Sequence, residues 1–157
     1  MYTNKVHLEF DSKSVNERFA RVTVAAFATQ LNPIMEEISD IKTAVSEAVT
    51  NAIVHGYEGK EGTIYMDVEI SGNKLSLRIH DDGVGIADVE KAMEPMYTTD
   101  TTGERSGMGF SFMEAFMDEV EVESKVGCGT CVTMKKRIGR EYMNKEQEEK
   151  ETAEFYG

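Results

Sequence analysis

The sequence contains no tryptophan, two cysteines, two prolines and three histidines in 157 residues, and its 17 lysines and arginines face 29 aspartates and glutamates. Each shortage narrows the field. A formal net charge of −12 opposes binding to a phosphate backbone, which needs a basic face. The one basic block is Lys135-Lys136-Arg137, which reads as a solvated strand end. No apolar run approaches the roughly 18 residues that span a bilayer. The opening residues Met1 to Phe10 alternate and carry charge, unlike a secretory signal. A cytoplasmic protein with neither nucleic-acid nor membrane partners is expected. Cys128 and Cys131 form C-x-x-C, but a β-rich stretch follows where thioredoxin-like chemistry needs a helix N-terminus. A structural zinc site would need a second ligand pair. Two reduced thiols at a turn and a strand are expected.

Apolar residues at 40% and charged residues at 29% suit one globular domain with a single core. Val6 to Phe10 alternates as a half-buried strand. A helix follows over Val15 to Leu31, after possible caps at Asp11, Ser12 and Ser14, with Phe19, Val22, Ala25 and Ala26 as its apolar stripe and Arg18 and Arg21 beside it. Asn32-Pro33 separates it from a second helix, whose stripe is Ile34, Ile38, Ile41, Val45, Ala48 and Ala52. Glu47, Asn51 and His55, four residues apart, stack on its flank, and Gly56 ends it. Two strands then share an inward face, Ile64, Met66, Val68 and Ile70, then Leu75, Leu77 and Ile79. Continued parity puts Asp81 on that face, a costly place for a carboxylate without a partner. The stretch Gly83 to Arg105 reads as a long loop with a short helix at Val89 to Met93, a functional lid by its length. A helix from Ser106 and two strands complete the pattern, with Thr130, Val132 and Met134 inward. The domain is expected over 1–138. The tail 139–157, with six glutamates and two lysines, reads as charged and flexible.

Three segments carry the chemistry: Glu47 to Gly56, Asp81-Asp82-Gly83-Val84-Gly85-Ile86, and Arg105-Ser106-Gly107-Met108-Gly109-Phe110. Each alone has a plain explanation, as a polar helix flank, a turn, or half of a glycine loop. No G-x-x-x-x-G-K-[ST] occurs and no full G-x-G-x-x-G, which excludes a P-loop and disfavours a dinucleotide fold. Together the segments make one nucleotide site. Asp81 accepts from an adenine amino group, and Gly83 and Gly85 let a base lie against backbone. Gly107 and Gly109 free N–H groups at a helix N-terminus for phosphate. Asn51 offers a neutral oxygen to Mg²⁺. Glu47, one turn earlier, is placed to take or orient a hydroxyl proton, and Arg105 to neutralise charge on a transferred phosphoryl group.

This order of motifs resembles the GHKL ATPase superfamily over roughly Val6 to Arg137. The resemblance implies an α/β fold, a two-layer sandwich of the Bergerat ATP-binding type, with a mixed sheet, helices on one face and an ATP lid. It adds Thr98, Thr99, Ser106, Met108 and Thr130 to the ATP-binding residues, Thr130 beside adenine. A chain of this length is expected to lack the further domains of gyrase, Hsp90 and MutL and the phosphoacceptor helices of histidine kinases; His55 belongs to the Asn51 segment. The segments Asn16 to Ala25, Ile41 to Ile53, Tyr97-Thr98-Thr99 and Glu104 to Phe110 are similar to the anti-sigma serine kinases of sporulation. That family implies a homodimer that binds and inhibits a sigma factor and, with ATP and Mg²⁺, phosphorylates a serine on an anti-anti-sigma protein, with Arg21 at the partner surface. The competing class is a binding module that holds nucleotide without transfer, which would not need Glu47. An ATP-gated clamp would need a transducer segment.

Overall fold

The computed structural model describes residues 1–94 and 109–139. Strand β1 (Thr3–Asp11) leads into α1 (Val15–Ala28), a 3₁₀ turn (Thr29–Leu31) and α2 (Met35–Asn51), which continues as a π-helical turn (Ala52–Gly56). The hairpin β2 (Thr63–Ser71) and β3 (Lys74–Asp81) precedes α3 (Val89–Met93). After α4 (Gly109–Phe116), the hairpin β4 (Glu119–Lys125) and β5 (Gly129–Arg137) closes the sheet in the order β1-β2-β3-β5-β4.

Every neighbouring pair in that sheet is antiparallel, which corrects the expected mixed sheet. The crossover from β3 to β4 does return the chain in the same direction. Strand β5, hairpinned to β4, inserts between them and makes both contacts antiparallel.

The alternation seen in the sequence is the alternation of the sheet. Ile64, Met66, Val68, Ile70, Leu75, Leu77, Ile79, Val132 and Met134 are buried and join α1, α2 and α4 in one hydrophobic cluster. Strand residues of opposite parity, such as Glu9, Asp67, Arg78 and Glu121, form the polar outer face. The basic block divides across these faces. Lys135 lies 4.0 Å from Glu119, whereas Lys136 turns inward, donates to the Phe116 carbonyl at 2.7 Å and approaches Asp40 at 3.8 Å.

Helix α1 reverses the expected facing. Its buried residues are Ala20, Val24 and Ala28, while Phe19 and Val22 remain 50% and 53% exposed. The small residues let α1 approach α2 closely, and a larger apolar stripe is left on the outer side. Ser14 makes no side-chain cap. Pro33 precedes α2, and the Glu37 carboxylate accepts the Ile34 N–H at 3.0 Å.

Candidate functional site

A cavity of about 760 Å³ opens between α2, its π-helical turn, the end of β3, α3, the start of α4 and β5, within the range of small-molecule sites. Of the residues singled out in the sequence, Asn51, His55, Asp81, Gly85, Gly109 and Thr130 line it. Thr98, Thr99, Arg105, Ser106, Gly107 and Met108 lie outside the described residues, as does the tail from Arg140.

At the inner wall, Asp81 is only 6% exposed. Parity predicts this, because β3 carries Asp81 on the face of Leu75, Leu77 and Ile79. Burial pushes its carboxyl above the ordinary carboxylate range, against the lowering effect of the Gly83 and Thr130 N–H groups. The Gly83 N–H donates to Oδ1 at 2.9 Å, and Thr130 sits opposite Asp81 in the ladder.

Glycines make this wall possible. A Cβ on Gly56 would stand 2.7 Å from Asp81 Oδ1. One on Gly83 would collide with the Gly56 carbonyl, and one on Gly85, at φ +75°, with the Lys125 carbonyl. The Gly56 carbonyl instead accepts the Val84 N–H at 2.9 Å, and the Val84 carbonyl accepts the Gly127 N–H at 2.8 Å. Backbone therefore runs close to backbone all along this side of the cavity.

At the other end, α2 and α4 meet. A Cβ on Gly109 would lie 3.0 Å from Asn51 Nδ2, 3.2 Å from Asn51 Oδ1 and 3.3 Å from Glu47 Oε2. The first and third sequence segments thus touch at the start of α4, with Glu47 and Asn51 one helical turn apart. His55 also lines the cavity, but from the π-helical turn rather than from an unbroken α-helix.

The donor set decides what could be held. Among the described residues no group of three or more His, Cys, Asp or Glu side chains converges as a metal cage. Mg²⁺ needs none, since it takes one or two protein oxygens together with substrate phosphates, and Asn51 Oδ1 fits that pattern, with Glu47 one turn earlier left to handle a proton. A buried acceptor at one end and amide and carboxylate oxygens at the other fit a nucleotide with its metal.

The sequence reading missed several contributors. Gly56 was assigned only helix termination, yet its missing side chain leaves room for the Asp81 carboxylate. Tyr57 accepts the Asp82 N–H at 2.8 Å and donates to the Thr63 carbonyl at 2.5 Å, bracing the end of β3. Lys91 brings a cation to the cavity wall. Ser124 continues the inward parity of Val120 and Val122, the same signal that located Asp81. Arg21 lies away from the cavity on α1, 3.1 Å from Glu17. Cys128 and Cys131 are both free, and Cys131 Sγ accepts from Arg78 Nε at 3.0 Å on the outer sheet face.

Comparison with known proteins agrees with this geometry. The family model described as histidine kinase-like ATPase domain matches residues 10–136. The anti-sigma F factor of Thermoanaerobacter sp. (strain X514) is 61% identical over 138 residues, covering 88% of this chain and 96% of that protein. The anti-sigma F factor of Clostridium acetobutylicum is 56% identical, again over 88% and 96%. Among solved structures, the catalytic domain of the histidine kinase ThkA superposes with a TM-score of 0.53, covering 85% of this chain and 96% of that one. At 20% identity that likeness concerns the fold alone. The chain belongs to the histidine kinase-like ATPase (GHKL) family and, within it, to the anti-sigma F factors.

Proposed function

We propose that this protein is an anti-sigma factor and protein serine kinase: it binds and inhibits a sporulation sigma factor and, with ATP and Mg²⁺, phosphorylates a serine of an anti-anti-sigma protein, thereby regulating transcription. One observation carries the reading. A single cavity has a buried acceptor, Asp81, at one end and Asn51 with the glycine-led start of α4 at the other, and Glu47 stands beside Asn51 at Gly109.

Each residue has a task in this scheme. Asp81 and Thr130 receive the base. Gly83 and Gly85 let it lie against backbone, and Gly109 leaves N–H groups free for phosphate. Asn51 holds Mg²⁺, which lowers the charge barrier to phosphoryl transfer when bound. Glu47 accepts or orients the proton of the acceptor serine hydroxyl. Outside the described residues, Thr98, Thr99, Ser106, Gly107 and Met108 are assigned to ATP contact and Arg105 to neutralising the phosphoryl group.

Glu47 favours a kinase over a module that only holds nucleotide. Partner binding falls to α1, whose exposed Phe19 and Val22 flank Arg21. The same apolar stripe, with Val15, supports a homodimer, since an exposed apolar stripe of this kind marks an interface. Residues 1–138 form the kinase domain and 139–157 an acidic tail. Among the described residues no helix is long and apolar enough to cross a membrane; a sigma-factor partner supports a cytoplasmic location. The test is incubation with labelled ATP, Mg²⁺ and candidate anti-anti-sigma proteins. Label should appear on a serine of one candidate, and about 10²–10⁴-fold more slowly with Glu47→Ala; no transfer to any candidate, with sigma binding retained, would favour the binding-module reading.

A further inference from the structure

One hydroxyl outside all three motifs joins both walls of the inner end of the cavity. Ser124 Oγ lies 2.7 Å from the Ile86 nitrogen, 3.0 Å from the Gly129 carbonyl oxygen and 2.7 Å from Thr130 Oγ1. The directions of these bonds are assigned from proton inventory. An amide N–H donates and a carbonyl only accepts, and a serine hydroxyl has one proton. Ile86 therefore uses a lone pair of Ser124, and the Ser124 proton is assigned to the Gly129 carbonyl, the partner that can only accept. What Ser124 turns to Thr130 is its other lone pair, so Thr130 is the donor between them. The Thr130 proton is then directed away from the cavity, and only lone pairs remain on Thr130 for a ligand.

Thr130 lines the cavity, and Ser124 does not. Beside Thr130 in the ladder stands Asp81, whose Oδ1 already accepts the Gly83 N–H. Two adjacent residues thus present acceptors at the same end of the cavity. A ligand edge there must bring a donor, and an acceptor would leave buried groups unmatched.

We infer that Ser124 is a positioning residue that sets base specificity: by holding the Thr130 proton it selects a purine with an amino group at C6 against one with an oxo group there. The inference rests on the reading of Asp81 and Thr130 as base-binding residues. Ile86, another lining residue, is fixed by the same hydroxyl, so specificity and loop placement share one anchor. Without Ser124, the Thr130 hydroxyl rotates and can donate to an oxo group.

The experiment is calorimetric titration of the full chain with ATP and with inosine triphosphate, which carries an oxo group at C6 and a proton on N1 in place of the amino group and bare nitrogen of ATP. In Ser124→Ala the ratio of the two dissociation constants, inosine triphosphate over ATP, should fall about tenfold, the scale of one neutral hydrogen bond. Ser124→Thr, which keeps a hydroxyl, should retain the ratio. Thr130→Val should lower it as well, and Ser124→Ala added to Thr130→Val should change it no further. Equal weakening of both nucleotides in Ser124→Ala, with the ratio intact, would assign Ser124 to mere loop support and overturn the inference. If Ser124→Ala does not fold, an unchanged ratio in Thr130→Val overturns it instead. Asp81→Asn separates the two levels: unchanged ATP affinity there defeats the base-site reading itself, whereas weakened ATP binding with an intact Ser124→Ala ratio defeats only the role of Ser124.

Discussion

The Asp81 carboxylate occupies the space that a side chain on Gly56 would need, with all three of its outer atoms 2.7 to 2.9 Å from where that Cβ would stand. The contact joins the π-helical turn after α2 to the last residue of β3. Gly56→Ala should therefore displace the carboxylate, cost about 1–3 kcal/mol of stability as overpacking does, and weaken ATP binding at least about tenfold. Calorimetry on the folded variant checks it. Unchanged affinity would mean that the carboxylate position is irrelevant to the nucleotide.

Asp81→Asn should separate stability from binding. Burial raises the folded-state pKa of Asp81, so its carboxyl favours folding when protonated, and that contribution is lost as pH rises through the raised value. Above the raised value the ionised group costs stability, and there the nucleotide-free Asn variant should melt higher than wild type. Its ATP affinity should fall by roughly ten- to a hundredfold, since a hydrogen bond to a charged group is worth ~1.5–3 kcal/mol. Thermal melts with and without ATP measure both effects. A lower melting temperature without nucleotide contradicts the sign.

Glu47 and Asn51 stand together at Gly109 but should fail differently. Glu47→Ala should bind ATP nearly as wild type and transfer phosphate about 10²–10⁴-fold more slowly. Asn51→Ala should lose Mg²⁺-dependent affinity. Single-turnover phosphorylation and titration with and without Mg²⁺ distinguish them, and identical defects in the two variants would refute separate roles.

Arg21 and Glu17 form an i,i+4 pair at 3.1 Å with side chains 33% and 21% exposed. Such pairs contribute only ~0.3–0.5 kcal/mol, so Arg21→Ala should hardly change stability or ATP affinity. It should weaken at least one protein partner by more than ~1 kcal/mol. Titration of sigma factor and anti-anti-sigma protein at saturating nucleotide decides this; wild-type affinity for both removes Arg21 from the interface.

His7 supplies a pH signature on the outer face. Its ring hydrogen bonds first with Glu9, at 3.1 Å, and also with Asp67, at 2.7 Å, and these hold its pKa above 6.5. The charged ring therefore favours the folded state. Any stability advantage over His7→Gln should be fully present below pH 6.5 and vanish as pH rises through the raised folded value. Urea midpoints across that window should converge at the alkaline end, and divergence there would reverse the sign.

What the sequence determined by itself was local or periodic. Alternation placed the inward faces of β2, β3 and β5 and put Asp81 among apolar neighbours. Four-residue spacing put Glu47 and Asn51 on one flank of α2, and residue type named the chemistry open to them. Family resemblance came from the order of the segments. Tertiary structure decided what pattern cannot encode. α1 has apolar residues on two sides, and periodicity does not say which side is core. Close approach to α2 selects Ala20, Val24 and Ala28, leaving Phe19 and Val22 outside. Strand order was likewise hidden, because two strands running the same way can still be separated by a third, as β3 and β4 are by β5. The hydroxyl of Ser124 and the missing side chain of Gly56 act through residues 38 positions away, from Ser124 to Ile86, or across the sheet end to Asp81. Their roles depend on distances of about 3 Å between distant segments, the range of a hydrogen bond or a steric contact, and only folding sets those distances.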